Sequence, residues 1–231
     1  MKVHYYLDWF NDSMPTQVAD ALLNDLPERK ELVFIGSNPA DYAFNIEQHN
    51  IARSKWLEPA GIEFDEYTLI DNRTTKEDTH IVIKNASAIF FLGGQAAAQR
   101  KFLDEYDLLT AIKESSASVI MGVSAGAMNM SAKWITSKYI SIGSVRYTAG
   151  RSKVNDGLGL DDFAFEAHID VDNSKLFEHD LLPLSQVIDV YAACYKSAIR
   201  VKNGKMEFFG EVYLITNSKV RKMKETDFKA N

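Results

Sequence analysis

Cysteine is almost absent from this chain, which has one, Cys194, among its 231 residues. A lone cysteine excludes an internal disulfide and any zinc ribbon built on cysteine pairs, and it agrees with a reducing compartment. Apolar runs of about 20 residues, which a membrane-spanning helix needs, are also lacking. Residues 1–6 lack the apolar core of a signal peptide. The sequence therefore predicts a cytoplasmic protein with no membrane partner.

Positive charge is not in excess either. The net charge is -6, so we find no basic stripe of the kind that neutralises nucleic-acid phosphates. A G-x-G-x-x-G dinucleotide loop is missing, and the histidines and carboxylates lack metal-ligand spacing. We expect no cofactor, no metal and no nucleic-acid partner. With no linker-like segment, residues 1–231 are expected to form one domain, as a monomer or homodimer.

Apolar runs of strand length alternate with segments of helical spacing. The candidate strands are residues 3–7, 32–35, 62–69, 88–92 and 119–123, and the candidate helices include 42–57 and 95–114, the latter broken near Tyr106. This alternation predicts an α/β fold, a three-layer sandwich around a mostly parallel central sheet. Shorter segments follow Ser131, and Asn203-Gly204 is typical of a hairpin turn, which predicts an antiparallel C-terminal edge.

A G-x-S-x-G sequence at residues 122–126 directly follows the last candidate strand. Glycines on both sides let the backbone bend sharply, and the serine is then presented at the carboxyl end of the strand. A plain strand-to-helix turn is the alternative, but the helix-compatible residues 125–130 favour a nucleophile elbow. Ser124 is therefore the candidate nucleophile.

A second glycine turn, Gly93-Gly94-Gln95, ends the preceding candidate strand and opens a helix. In a parallel sheet, ligands bind at the carboxyl ends of strands, where N–H groups at helix N-termini are free to bind negative charge. We expect the N–H groups of Gly94 and Ala125 to form an oxyanion hole.

His168 is the preferred candidate for the base among five histidines. It follows the strand-like residues 163–167, whereas the other four lie in less suitable contexts. A serine nucleophile needs such a base to take its proton.

Together these segments resemble a family of serine peptidases, that of aspartyl dipeptidase (dipeptidase E) and cyanophycinase. The resemblance rests on Gly93-Gly94-Gln95, on residues 122–127 (G-V-S-A-G-A), and on residues 157–160 (G-L-G-L) followed by Glu166-Ala167-His168. It implies a class I glutaminase-like fold, Ser124 as nucleophile, His168 as base and Gly94 with Ala125 as oxyanion donors. A short peptide would be the substrate.

Tyr195 stands where the family's histidine-orienting acid would be. Tyr195, Glu166 and Gln95 are therefore candidates for a third member or for substrate contacts. If another acid orients His168, the neighbours in sequence are Asp161, Asp162, Glu166 and Asp189.

Arginines are also missing from residues 169–175, where cyanophycinases carry those that hold acidic groups. Several carboxylates lie near His168 in sequence instead. We therefore expect no strict preference for an N-terminal aspartate.

Three other functions remain open from the residues alone. Glutamine amidotransferases share the implied fold but place a cysteine at the elbow, and α/β-hydrolase esterases place their histidine nearer the C-terminus. A catalytically weak or inactive relative that binds a peptide or a small metabolite would explain a tyrosine at position 195.

Overall fold

The computed structural model describes residues 2–139, 141–142, 145–146, 151–224 and 229–230. Its first half alternates strands and helices. The strands are β1 (Val3–Leu7), β2 (Glu31–Ile35), β3 (Glu66–Ile70), β4 (Ala88–Phe91) and β5 (Val119–Val123). The helices are α1 (Thr16–Asp25), α2 (Tyr42–Ile51), α3 (Lys76–Asn85), α4 (Ala96–Glu105), α5 (Leu108–Glu114) and α6 (Ala125–Met130). A π-helical segment, Ala52–Leu57, and a short 3-10 turn, Glu58–Ala60, continue α2.

The second half is richer in short strands. These are β6 (Ser131–Thr136), β7 (Ser141–Ile142), β8 (Val145–Arg146), β9 (Lys153–Asp156), β10 (Asp161–Glu166), β11 (Val190–Ala193), β12 (Ala198–Lys202), β13 (Lys205–Phe209), β14 (Val212–Thr216), β15 (Lys219–Lys222) and β16 (Lys229–Ala230). The helical pieces are α7 (Ser174–Leu176), a π-helical turn at Phe177–Leu181 and α8 (Leu182–Leu184). Within the described residues no helix is long and apolar enough to cross a membrane.

The predicted α/β sandwich is confirmed. Strands β1, β5, β4, β2 and β3 pair in parallel in that order, and β12 and β13 extend the edge beside β1 in antiparallel pairing. The hairpin turn is confirmed as well, because Asn203 and Gly204 have φ of 55° and 71°, as a two-residue turn between twisted strands requires. Helices cover both faces of this sheet, as an apolar parallel sheet requires.

Two element boundaries differ from the sequence-based prediction. The third strand begins at Glu66 instead of residue 62, since its partner β2 begins only at Glu31, the residue paired with Glu66. The helix expected over 42–57 becomes π-helical after Ile51. The predicted break near Tyr106 is confirmed, because α4 ends at Glu105 and α5 starts at Leu108.

A second sheet was not predicted. Its order is β15-β14-β11-β10-β6-β9, and β10 lies in parallel between β6 and β11. Alternate residues of β10 face opposite sides, since Phe163 and Phe165 belong to the core shared with the first sheet and Ala164 to a separate cluster. Both rings contact Tyr6 of β1. The ring centroid of Tyr6 lies 4.8 Å from that of Phe163 and 5.6 Å from that of Phe165, so the two sheets share one core.

Helix α6 lies where the two sheets meet, and glycine permits its close approach. A Cβ added at Gly126 would come within 2.2 Å of the carbonyl oxygen of Phe91 in β4. Backbone atoms cannot move away as a flexible side chain can, so any larger residue must displace the helix.

We therefore predict that Gly126→Ala lowers the free energy of unfolding by at least about 3 kcal/mol. Gly61→Ala is the matched control, because the added Cβ has nothing within 4 Å and meets only the strain of φ 72°. Its cost should be about 1–2 kcal/mol. Urea unfolding of both variants measures the difference, and equal losses would contradict the packing argument.

Candidate active site

Ser124 occupies a strained turn between β5 and α6. Its φ of 51° and ψ of -113° are rare for a residue with a side chain. The sequence-based prediction gave the bend to the flanking glycines, but the bend falls on Ser124 itself. The glycines provide room instead, since a Cβ at Gly122 would come within 2.6 Å of Gly126. The N–H of Ser124 donates to the carbonyl of Leu7 at 2.9 Å, which ties the turn to the end of β1.

His168 comes from the other sheet, just past the end of β10. Its Nε2 lies 2.7 Å from the Oγ of Ser124. At that distance the imidazole is able to take the hydroxyl proton as the oxygen attacks a carbonyl carbon. The structure thus brings together Ser124 and His168, the two residues expected to converge.

Asp8 is the third member of this group, and the sequence-based reasoning missed it. The residue directly follows β1 and is fully buried. Its Oδ1 lies 2.7 Å from Nδ1 of His168, although the ring N–H is not aligned with that oxygen. Its Oδ2 accepts the backbone N–H of His168 at 2.6 Å. One carboxylate therefore holds the backbone of His168 and provides negative charge beside the ring.

The other proposed third members lie elsewhere. Tyr195 packs its ring against the imidazole, with centroids 4.9 Å apart and planes tilted by 30°, instead of standing at Nδ1. Glu166 accepts the N–H of Ile135. Asp161 accepts the hydroxyl of Tyr6 at 2.7 Å and lies 2.7 Å from a ring nitrogen of His4.

The remaining two candidates are no closer to that role. Asp162 is exposed in β10, and Asp189 immediately precedes β11, where its carbonyl accepts the N–H of Ala164. In the described residues, Asp8 is the acid that lies against Nδ1 of His168.

One signal in the sequence pointed to Asp8. Strand β1 pairs in parallel with β5, and Leu7 lies opposite Val123. The residues after these two strands, Asp8 and Ser124, are therefore neighbours at one sheet edge. The rule that singled out Ser124, that functional residues follow parallel strands, applies equally to the first strand.

The expected oxyanion donors adjoin Ser124. Ala125 is the first residue of α6, so its N–H has no intrahelical acceptor. The Gly94 N–H donates to no other described residue. A φ of 138° and a would-be Cβ contact of 2.4 Å with Ser37 make glycine obligatory at position 94.

Ser37 fixes the orientation of the Gly93-Gly94 peptide. Its buried hydroxyl donates to the carbonyl of Gly93 at 2.5 Å. That peptide is trans, so the N–H of Gly94 points away from Ser37. Ser37 was not predicted, because nothing in its sequence surroundings links it to a turn 56 residues away.

Two hollows flank Ser124, and Gly94, Gln95, Ser124 and His168 line both. The inner cavity, of about 230 Å³, is further lined by Met128, Trp134 and Glu166 among others. The outer cleft, of about 430 Å³, is further lined by Trp9, Phe44 and Tyr195 among others. Gln95, expected to contact substrate, thus lies between the two hollows.

Two ionisable groups near the site have altered acidity. Burial raises the pKa of Glu166 well above its ordinary value, and the charge of Asp180 adds to the rise, although the N–H of Ile135 opposes it. Burial also raises the pKa of Cys194 to about 11, with Glu211 and Asp8 contributing. At neutral pH this thiol is protonated, and it donates to the carbonyl of Ile169.

Comparison with known proteins shows the family of the chain. Residues 11–209 match the sequence model of the family described as Peptidase family S51, which confirms the resemblance seen in the motifs. Asp8 lies three residues before the matched range. A search of curated proteins finds no match.

Two solved structures share the fold. A peptidase from an acI-B1 Actinobacterium superposes with a TM-score of 0.69 at 16% identity, covering 100% of this chain and 97% of its own. A putative peptidase E protein from Listeria monocytogenes EGD-e gives a TM-score of 0.58 at 17% identity, covering 90% of this chain and 98% of its own.

The position of Asp8 predicts that Asp8→Asn slows labelling of Ser124 by a fluorophosphonate probe about 10³–10⁴-fold, because the imidazolium loses its counter-charge. Tyr195→Phe keeps the ring contact and should change the rate less than about threefold. Tyr195→Glu should bring no gain, since Asp8 already stands at Nδ1. Labelling rates followed by intact-protein mass spectrometry test this, and equal effects at both positions would refute it.

The bond from Ser37 predicts that Ser37→Ala slows the same labelling on the order of tenfold. Outright loss of an oxyanion donor costs about 10²–10³-fold, and here the N–H remains but is held less firmly. Ser115→Ala is the control, because its buried hydroxyl also donates to a backbone carbonyl, that of Ile112 at 2.8 Å. Matching rates for the Ser37 variant and the control would contradict the assignment.

Proposed function

This chain belongs to Peptidase family S51, and on that premise we propose that it is a serine hydrolase that cleaves short peptides through an acyl-enzyme on Ser124. The observation that carries the proposal is the 2.7 Å contact between Ser124 Oγ and His168 Nε2, in a turn that presents the serine to two hollows. The proposed roles of the surrounding residues follow from their positions.

In the acylation step, Ser124 Oγ attacks the scissile carbonyl carbon while its proton passes to Nε2 of His168. The carbonyl oxygen becomes an oxyanion, and the N–H groups of Gly94 and Ala125 are assigned to bind it. His168 then gives its proton to the leaving amine as the peptide bond breaks. An ester of the acyl group with Ser124 remains.

In the deacylation step, a water molecule gives a proton to His168 and attacks the ester carbon. The ester bond breaks, the proton returns to Ser124, and the carboxylic acid leaves. The Asp8 carboxylate, 2.7 Å from Nδ1 of His168, stabilises the imidazolium that forms in each step.

The size of the hollows supports a short substrate. About 230 Å³ is less than the roughly 300–1,000 Å³ that drug-sized ligands occupy, so the inner cavity suits about one residue. The outer cleft is larger and suits the residue on the other side of the scissile bond. A dipeptidase or another exopeptidase fits these dimensions best.

A catalytically weak or inactive relative that binds a peptide or metabolite is the alternative. It is favoured by the unaligned contact between Asp8 and the His168 N–H and by a tyrosine at position 195, where related peptidases are expected to carry an acid. A cytoplasmic location is also part of the proposal and rests on the single cysteine.

We predict that the protein shows no strict preference for Asp-Leu over Ala-Leu and Leu-Leu. Glu166 lines the inner cavity, and no lysine or arginine is among the described residues that line either hollow. An acidic side chain would therefore lack a partner there. Measured kcat/KM values for the three peptides test this, with Ser124→Ala as the inactive control.

A preference for Asp-Leu above about 100-fold would contradict the expected specificity. Arg151 would then be a candidate partner, whereas Arg146 has a side chain outside the described residues. Hydrolysis that survives Ser124→Ala would contradict the mechanism itself. Labelled Ser124 with no peptide hydrolysed would favour the inactive relative.

A further inference from the structure

Glu166 is a buried acid that the proposed mechanism does not use. The side chain is fully buried, lines the inner cavity and stands two residues before His168. One oxygen, Oε1, accepts the N–H of Ile135, but Oε2 has no hydrogen-bond partner among the described residues. Buried polar atoms are nearly always paired in native proteins. An unpaired carboxylate oxygen at a cavity wall therefore points to a ligand group that completes it.

The charge around Glu166 favours a positive ligand. The charge of Asp180 acts on Glu166, and that effect is repulsive. Where the structure describes the lining of the inner cavity, it includes no lysine or arginine, and His168 is the one group there that can become positive. A positive ligand would favour the ionised carboxylate of Glu166, which burial otherwise disfavours.

Trp134 adds a second feature to the same wall. Its indole lines the inner cavity, and its buried Nε1–H has no acceptor among the described residues. This N–H is a donor, so it suits a carbonyl oxygen of the ligand that carries the ammonium group. The remaining wall is largely apolar, with Met128, Ala96 and Ala97, so water competes poorly with a charged group placed there.

We propose that the inner cavity binds a primary ammonium group of the substrate through Oε2 of Glu166, an inference that rests on the peptide-cleaving function proposed above. Two parts of a peptide supply this chemistry. One is the α-amino group of an N-terminal residue, which would make the enzyme act at free N-termini. The other is the side chain of a lysine.

Binding tests this without requiring turnover. The Ser124→Ala protein is titrated calorimetrically with Ala-Leu and N-acetyl-Ala-Leu, which differ in the α-ammonium. It is then titrated with N-acetyl-Lys-Leu and N-acetyl-norleucyl-Leu, which differ in the side-chain ammonium. We expect at least tenfold tighter binding of the charged member in one pair, and the pair that shows it identifies the source of the ammonium.

The same titrations on Ser124→Ala/Glu166→Gln should reduce that preference below about twofold, because an amide cannot balance the charge. Ser124→Ala/Asp170→Asn is the matched control. Asp170 is an exposed acid two residues past His168, and the preference should persist in this variant. Thermal unfolding checks that all variants fold.

Absence of a charged-ligand preference in both pairs would overturn the proposal, even if the Gln variant failed to fold. So would a preference that the Gln variant retains, or failure of all four peptides to bind. The proposed hydrolase activity is judged separately, by fluorophosphonate labelling of Ser124 in the otherwise unchanged protein. Normal labelling with no ammonium preference would leave the hydrolase proposal standing and remove this one.

Discussion

The contact between Asp8 and His168 is the interaction on which the candidate site depends. Asp8 directly follows strand β1 of the first sheet, and His168 lies two residues past the end of strand β10 of the second. The carboxylate accepts the backbone N–H of His168 and lies beside its ring, so one side chain fixes both the loop and the imidazole. His168 adopts a φ of 58°, which is unfavourable for most residues and is held here by this bond. This bond ties the loop that carries the base to the strand end beside Ser124.

Backbone geometry supplies the other half of the site. Two adjacent parallel strands end in turns, one carrying the nucleophile and the other the Gly94 N–H. The two turns are connected by side chains, since Asn129 of α6 donates to Gln99 of α4 at 3.0 Å, and Gln99 donates to the carbonyl of Leu92 at 3.2 Å. Ser37 holds the Gly93 carbonyl from a third strand end. Such fixed donors need no rearrangement when charge develops in a reaction.

The two acids at the hollows, Asp8 and Glu166, differ in what balances them. Asp8 lies beside the imidazole of His168, but in the part of the chain that the structure describes Glu166 has no hydrogen-bond donor for its second oxygen. A protein gains no stability from such a group, because burying a carboxyl without full hydrogen bonding costs free energy. Its position on the wall of the inner cavity connects that cost with recognition of a ligand.

Local patterns in the sequence determined much of this protein. The strand-turn-helix at Ser124, the glycine turn at Gly94 and the strand before His168 each follow from neighbouring residues, because backbone freedom and side-chain periodicity act over a few positions. The helix break near Tyr106 and the hairpin at Asn203 were predicted for the same reason. Family resemblance, confirmed by the match over residues 11–209, came from the same short motifs.

Tertiary structure alone decided which acid faces His168, which hydroxyl orients the Gly93-Gly94 peptide, and that a second sheet exists. Asp8 and His168 are 160 positions apart, and Ser37 and Gly93 are 56 apart. A strand such as β10 has the same alternating pattern in either sheet, so periodicity does not reveal its partners. Sequence proximity predicts the orienting acid at position 195 or among the acids near His168. Proximity in this fold is instead set by the parallel register of β1 with β5 and by the packing of Tyr6 against Phe163 and Phe165.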